Sequence, residues 1–70
     1  MMPLTLAGAG DICYVQKITG KDEIRQHLAE LGFVVGAEVR VVTEINGNLI
    51  VMIKDSRIGL DKSMANRIMV

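Results

Sequence analysis

Cys13, His27 and the carboxylates near His27 are the side chains of this chain best suited to chemistry. The sequence contains one cysteine and one histidine, and they lie at opposite ends of a predicted strand–helix unit. Residues so placed form neither a Ser–His–Asp nor a Cys–His arrangement. We therefore predict that the protein is not an enzyme, and we interpret Cys13 as a small buried hydrophobic residue rather than a nucleophile.

Glu23, His27 and Glu30 form a stripe with helical spacing i, i+4, i+7. Two carboxylates and an imidazole are suitable ligands for Fe²⁺ or another divalent transition metal. The same stripe is also typical of a solvated helix face that keeps charge out of the core, and this is the interpretation that we favour. We therefore assign no metal ligands and no cofactor, and expect at most weak binding of such an ion.

Composition limits the remaining function classes. The chain has 70 residues, which predicts one domain, 1–70, and half of them are hydrophobic. Eight basic and eight acidic residues cancel, so no basic surface for nucleic acid is expected. The longest apolar run, Leu49 to Ile53, is too short to span a bilayer, and the single cysteine suits a reducing compartment. These features predict a soluble cytoplasmic domain.

One amphipathic helix is predicted from about Lys21 or Asp22 to Leu31. Thr19 followed by Asp22 is a weak capping-box variant at its start. Gly32 is placed to end the helix in a left-handed conformation, with Phe33 contacting Leu28 beyond the cap. Apolar residues at i, i+4 and i+7 form its buried face: Ile24, Leu28 and Leu31.

The rest of the chain is predicted to form strands and tight turns. The first strand is expected at Asp11 to Ile18 with a bulge near Gln16, after an extended segment in which Leu4 and Leu6 hold the terminus on the core. Further strands are predicted at about Glu38–Glu44, across the following hairpin, at Ile58–Leu60 and at Arg67–Val70, with a short helical turn capped by Asp61 before the last. The order predicts a mainly β fold: a small, partly open barrel of about five strands with one α-helix after the first strand.

Two pairings are open for the central hairpin. In the first, Asn46-Gly47 is a two-residue loop and Ile45 pairs with Asn48; in the second, Gly47 is a bulge in a three-residue loop and Glu44 pairs with Asn48. We prefer the second, because it gathers the apolar positions of both strands on one face. That face places three residues opposite three others: Val39, Val41 and Thr43 opposite Ile53, Val51 and Leu49.

The other face of this hairpin is the candidate binding surface. It carries three neighbouring apolar residues, and exposed apolar patches mark interaction sites. The alternative, that the N-terminal segment or the closing strand covers them, is equally open. We predict a partner-binding surface with two basic residues at its rim: Val42, Ile50 and Met52, with Lys54 and Arg57.

A pattern of fixed spacing runs through the helix and the next strand: Arg25-x-x-Leu28-x-x-Leu31-Gly32-Phe33-x-x-Gly36-x-x-Val39-x-Val41. Other matching positions lie towards both ends: Leu4, Leu6, Gly10-x-x-Cys13, Ile58-x-Leu60 and Ala65-x-x-Ile68-x-Val70. Over its whole length the chain resembles the ferrous-iron transport protein A (FeoA) domain family.

This resemblance implies an SH3-like barrel and a small cytosolic accessory protein of bacterial ferrous-iron uptake. It implies a protein–protein interaction module that regulates the FeoB-type permease, through that permease's cytosolic G domain, and reaches the membrane only through this partner. The same resemblance implies an alternative: a transition-metal-binding sensor or carrier domain related to the C-terminal domain of iron-dependent repressors.

Overall fold

Six strands in two antiparallel sheets surround one apolar core in the computed structural model, which describes residues 1–70. Neither α-helix has the length and apolar character needed to cross a bilayer. The elements, in chain order, are β1 (Ile12–Tyr14), β2 (Lys17–Ile18), α1 (Asp22–Glu30), β3 (Glu38–Ile45), β4 (Asn48–Ile53), β5 (Ser56–Leu60), α2 (Lys62–Ala65) and β6 (Ile68–Met69).

The larger sheet has the order β1-β3-β4-β5, and the smaller sheet pairs β2 with β6. The predicted first strand is therefore divided between the sheets. The Val15 N–H still donates to the Ala37 carbonyl (3.0 Å) beside β3, whereas the Gln16 N–H donates to the Met69 carbonyl (2.7 Å) of β6. The irregularity expected near Gln16 is thus a break at which the chain changes sheets, rather than a bulge within one strand, and it allows the two sheets to enclose the core.

The core consists of 13 buried apolar side chains. Every strand except β1 and β2 contributes to it, together with α1, α2 and the N-terminal segment. The buried residues are Leu4, Ala7, Val15, Leu28, Phe33, Val39, Val41, Leu49, Val51, Ile53, Leu60, Ala65 and Ile68.

The N-terminal segment differs from the prediction. Leu4–Leu6 forms a 3₁₀ turn instead of an extended segment, so Leu4 is fully buried while Leu6 is 69% exposed. Leu4 holds the terminus on the core as predicted, but the prediction for Leu6 is wrong. An extended chain would place both residues on one face, whereas residues two apart in a 3₁₀ turn point in different directions.

Helix α1 ends as the sequence predicts. Gly32 has a φ of 107°, and its N–H donates to the Ala29 carbonyl (3.0 Å). The Phe33 N–H donates to the Leu28 carbonyl (3.0 Å), which completes a Schellman motif. The predicted cap at the start is wrong, because Lys21 precedes the helix without a side-chain cap and the Thr19 hydroxyl donates instead to the Arg67 carbonyl (3.3 Å).

The hairpin between β3 and β4 has the two-residue loop. Asn46 and Gly47 both have positive φ, 52° and 83°, as a type I′ turn requires, and Ile45 pairs with Asn48. Our preferred three-residue loop is therefore wrong. The pairing shifts between Val41 and Thr43, so a bulge at Val42 restores the apolar alignment of Val39 with Ile53 and Val41 with Val51; Thr43 pairs with Ile50 rather than Leu49.

The turn before β5 is a two-residue connection, and the cap predicted at Asp61 is confirmed. Lys54-Asp55 connects β4 to β5, with Lys54 at a positive φ of 53°. Asp61 caps α2: its Oδ1 accepts a hydrogen bond from the Met64 N–H (2.8 Å). This cap satisfies one of the free amides at the start of a helix of only four residues.

Candidate partner-binding surface

The five predicted binding residues lie on or beside β3, β4 and β5, and we call them the hairpin surface. Met52 and Arg57 are cross-strand partners, and Ile50 lies opposite Gly59. Val42 is the additional residue of the bulge, one position before Thr43, which pairs with Ile50. Lys54 occupies the turn beyond Met52. The structure therefore brings Ile50, Met52 and Arg57 together on adjacent strands.

The apolar members of the hairpin surface are half-buried. Val42, Ile50 and Met52 have intermediate exposure. A Cβ added at Gly59 would lie 3.5 Å from the Ile50 Cδ1, so the Ile50 side chain lies over the glycine. The partner-binding role of these residues stays a prediction.

Met52 lies between two arginines in a row that crosses the whole larger sheet. Cross-strand pairs align Ile12 with Arg40, Arg40 with Met52, and Met52 with Arg57. Their sequence neighbours Val39, Val41, Val51 and Ile53 are buried, so by strand alternation the row faces outward.

The positive charges of this surface have no acidic partner within 4 Å. The protein's one ion pair is Asp22–Arg25 (3.5 Å), on α1. Arg40, Lys54 and Arg57 are all exposed and unpaired. The outer sheet face thus presents three cations without an ion-pair partner around Met52, beside the exposed carboxylates of Glu38 and Asp55.

An open groove of about 630 Å³ adjoins Met52 and Lys54. Its other wall is formed by the loop after α1, where Val34 is 48% exposed and Val35 is 73% exposed. This pair was not among the predicted binding residues. The available signal was an apolar dipeptide between Gly32 and Gly36, where a surface loop normally carries polar residues.

Lys54 is directed partly towards α1. A Cβ added at Gly32 would lie 3.7 Å from the Lys54 Cε, so the aliphatic part of Lys54 passes over the glycine that ends α1. A cation near the carboxyl end of a helix is favourable, because the free carbonyls there carry partial negative charge. Lys54 thus connects the hairpin surface to the loop that carries Val34 and Val35.

The other chemically capable residues do not form a site. The structure contains no group of three or more His, Cys, Asp or Glu side chains that could hold a metal ion, so Glu23, His27 and Glu30 are exposed on α1 without converging. Cys13 is half-buried beside the core. Its pKa is raised, first by desolvation and second by the negative charge of Asp11, so the thiol is a poorer nucleophile at neutral pH than a free cysteine.

A small barrel with a first strand divided between two sheets and a short helix before the last strand defines the class of protein: an SH3-like domain. Among known protein families, the model of the FeoA domain matches residues 2–70 of this chain. The chain belongs to the FeoA domain family, which confirms the resemblance found in the sequence.

Two relatives show the degree of similarity in sequence and in structure. The chain is 33% identical over 70 residues to "Putative Fe(2+) transport protein A" of Methanocaldococcus jannaschii. The alignment covers 100% of this chain and 85% of that protein. The structure is similar to Stenotrophomonas maltophilia FeoA in complex with zinc, with a TM-score of 0.86, 31% identity, and coverage of 99% and 88% of the two chains. That protein was described as a prokaryotic SH3 domain protein and a candidate ferrous iron transport activating factor.

A manganese-dependent transcriptional repressor contains the same fold. The TM-score is 0.84 at 23% identity, and the match covers 94% of this chain but only 38% of the repressor. This likeness concerns the fold alone.

Proposed function

We propose that this protein is a cytoplasmic accessory of ferrous-iron uptake that regulates a FeoB-type permease by binding its cytosolic G domain through the hairpin surface. Membership of the FeoA family supports the role in iron transport. The observation that carries the binding role is the row Arg40–Met52–Arg57, in which a half-buried methionine lies between two unpaired arginines.

The physical basis is a small apolar centre with charged surroundings. Burial of an apolar side chain supplies binding free energy, and unpaired charges at the rim increase association rate and select a complementary partner. The groove beside Val34 and Val35 extends the apolar area beyond the sheet. A flexible methionine suits such a surface, because it adapts to an irregular partner.

Binding of the purified protein to the full-length permease in lipid nanodiscs tests the proposal. The variant Ile50→Lys with Met52→Lys is expected to retain the fold, since both side chains have solvent access, and to lose binding. Leu6→Lys is the matched control, because Leu6 is a 69% exposed apolar residue of the N-terminal segment, outside the hairpin. If the double variant keeps both its fold and its binding, the hairpin surface is not the contact.

The alternative function is a transition-metal sensor or carrier domain. Two observations support this alternative: the S. maltophilia protein was crystallised in complex with zinc, and a metal-dependent repressor shares the fold. The absence of a converging ligand set weighs against a strong site built from this chain alone. Calorimetric titration with Fe²⁺ or Mn²⁺ distinguishes it from the partner-binding function.

A further inference from the structure

Strand β5 has a free hydrogen-bonding edge. It is an outer strand of the larger sheet and pairs only with β4. The two-residue turn makes Ile53–Ser56 a hydrogen-bonded pair, and in an antiparallel ladder such pairs alternate. The N–H and C=O groups of Arg57 and Gly59 therefore point away from β4, and no other backbone hydrogen bond satisfies them.

The other outer strands offer less space. The free edge of β1 is short, because two residues beyond it the Gln16 N–H donates to the Met69 carbonyl of β6. The outer side of β6 is covered by the N-terminal segment: Pro3 bridges to Met69, and Met2 and Val70 exchange two backbone hydrogen bonds, of 2.9 and 2.7 Å. Strand β2, the other outer strand of the smaller sheet, has only two residues. Strand β5, with five residues, is therefore the longest edge with room for another strand.

Gly59 lies in the middle of this free edge without a local reason to be glycine. It does not have a positive φ, and an added Cβ would make only an ordinary contact, 3.5 Å from the Ile50 Cδ1. A glycine inside a strand costs conformational entropy, and often marks a place where another backbone approaches closely. Its exposed position on an unpaired edge fits such an approach.

The charge around the edge indicates which kind of strand fits there. Arg57 lies on the outward face of β5, with Arg40 two strands away in the same row and no acidic partner within 4 Å for either. The exposed carboxylates nearest in sequence, Asp55 and Asp61, lie just beyond the two ends of the strand.

The antiparallel register that uses the free groups of both Arg57 and Gly59 is centred on Ile58. With a second copy, this register would place Asp55 of each copy opposite Asp61 of the other and both Arg57 side chains on one face, and like charges on neighbouring strands are unfavourable. An extended segment with acidic side chains is the complementary occupant.

We propose that β5 binds an extended acidic segment of the permease as an additional strand, with backbone hydrogen bonds to Arg57 and Gly59 and an acidic side chain beside Arg57. This inference rests on the proposed function and gives it a binding mode. Backbone hydrogen bonds supply the affinity in strand addition, and the side chains supply specificity.

The test measures affinity for the full-length permease in nanodiscs with two kinds of variant. Gly59→Pro removes the outward N–H but no hydrogen bond to β4, and proline is tolerated at such an edge position; Gly59→Ala keeps the donor. Arg57→Glu reverses the charge at the edge, whereas Lys21→Glu makes the same charge change at the exposed start of α1. Amide spectra of each variant establish that it is folded.

Gly59→Pro and Arg57→Glu are each expected to weaken binding at least about tenfold, the equivalent of one or two lost hydrogen bonds. Gly59→Ala should weaken binding less than Gly59→Pro, because it keeps the N–H donor and adds only a methyl group, and Lys21→Glu should stay near the wild-type value. Folded Gly59→Pro that binds like the wild type overturns the strand-addition proposal. If the Ile50→Lys, Met52→Lys variant loses binding at the same time, the proposed function stands and only the binding mode fails. Wild-type protein that dimerises through a protected Gly59 amide would assign the edge to a second copy and overturn the acidic-strand proposal.

Discussion

Replacement of Gly32 by alanine should separate backbone strain from packing at the motif that ends α1. Gly32 has a φ of 107°, and an added Cβ would meet the Ile53 side chain at 3.6 Å, an ordinary contact. The expected cost is therefore conformational, because a residue with a Cβ is strained at this φ by about 1–3 kcal/mol. A cost of about 2 kcal/mol corresponds to a fall in Tm of roughly 8–16 °C for a domain of this size.

The matched control is Gly59→Ala. Gly59 does not have a positive φ and its added Cβ would have a similar contact of 3.5 Å, so stability should be unchanged or increased by about 0.4–1 kcal/mol. Gly36→Ala provides a second comparison, since Gly36 has a φ of 90° and no atom within 4 Å of the added Cβ. Any loss of stability there comes from the backbone alone.

Thermal and urea unfolding followed by circular dichroism measure the three variants against the wild type, with a common urea m-value as the check that the unfolded states are comparable. We expect Gly32→Ala and Gly36→Ala to be destabilised and Gly59→Ala not to be. Equal changes in Gly32→Ala and Gly59→Ala would refute the reasoning, because the two sites then differ neither in strain nor in packing.

Three further predictions follow from the core and from the candidate reactive residues. Phe33→Ala removes a fully buried ring and should cost about 3–5 kcal/mol, a large part of the stability of so small a domain, while Val35→Ala, in the exposed part of the same loop, should leave the urea midpoint unchanged. Alkylation of Cys13 by iodoacetamide should be slower at neutral pH than that of a free cysteine, because desolvation and Asp11 raise its pKa, and Asp11→Asn should accelerate it. The protonated thiol is favoured in the folded state, so its contribution to stability is complete below the unfolded-state pKa and is lost as the pH rises through the folded-state pKa; a thiol that reacts at the free-cysteine rate would contradict this. In calorimetric titrations with Fe²⁺, His27→Ala should leave any heat of binding unchanged, because no cluster of ligands surrounds that residue, and loss of the heat would restore the α1 stripe as a metal site.

Local signals in the sequence predicted the elements whose hydrogen bonds close within a few residues. The Schellman motif at Gly32 and the Asp61 cap of α2 are both of this kind, since a glycine or an aspartate at the right position is sufficient to form them. The predicted cap at Thr19 failed because a distant residue competes for its hydroxyl. The hydroxyl donates to the carbonyl of Arg67, 48 positions away in the chain, and local sequence patterns do not predict such a distant hydrogen bond.

The hairpin shows a prediction that was correct in its consequence and wrong in its cause. Alignment of the apolar faces requires one additional residue, which we predicted in the loop at Gly47. The structure places it at Val42, inside β3. Asn46-Gly47 is then free to form the type I′ turn that matches the twist of the strands. A bulge within a strand depends on both partners, so one strand's pattern does not locate it.

Part of the candidate site was predictable from the sequence, and part was not. Alternation along the hairpin identified Met52 as an outward-facing residue, and Arg57 was predicted only at the rim of the surface. In the structure β5 begins at Ser56, so Arg57 lies within the strand as the direct cross-strand neighbour of Met52. The contribution of Val34 and Val35 was not visible, because their proximity to Met52 depends on how α1 packs against the barrel.

The sequence by itself determined the family, the apolar face of α1, the glycine that ends this helix and the mainly β character of the chain. Each follows from residue type and short-range spacing, for which the physical constraint lies within one turn or one strand. Only the tertiary structure decided where the first strand divides, which edge of the sheet is free and which charges lack a partner. These properties depend on which distant segments meet when the core closes.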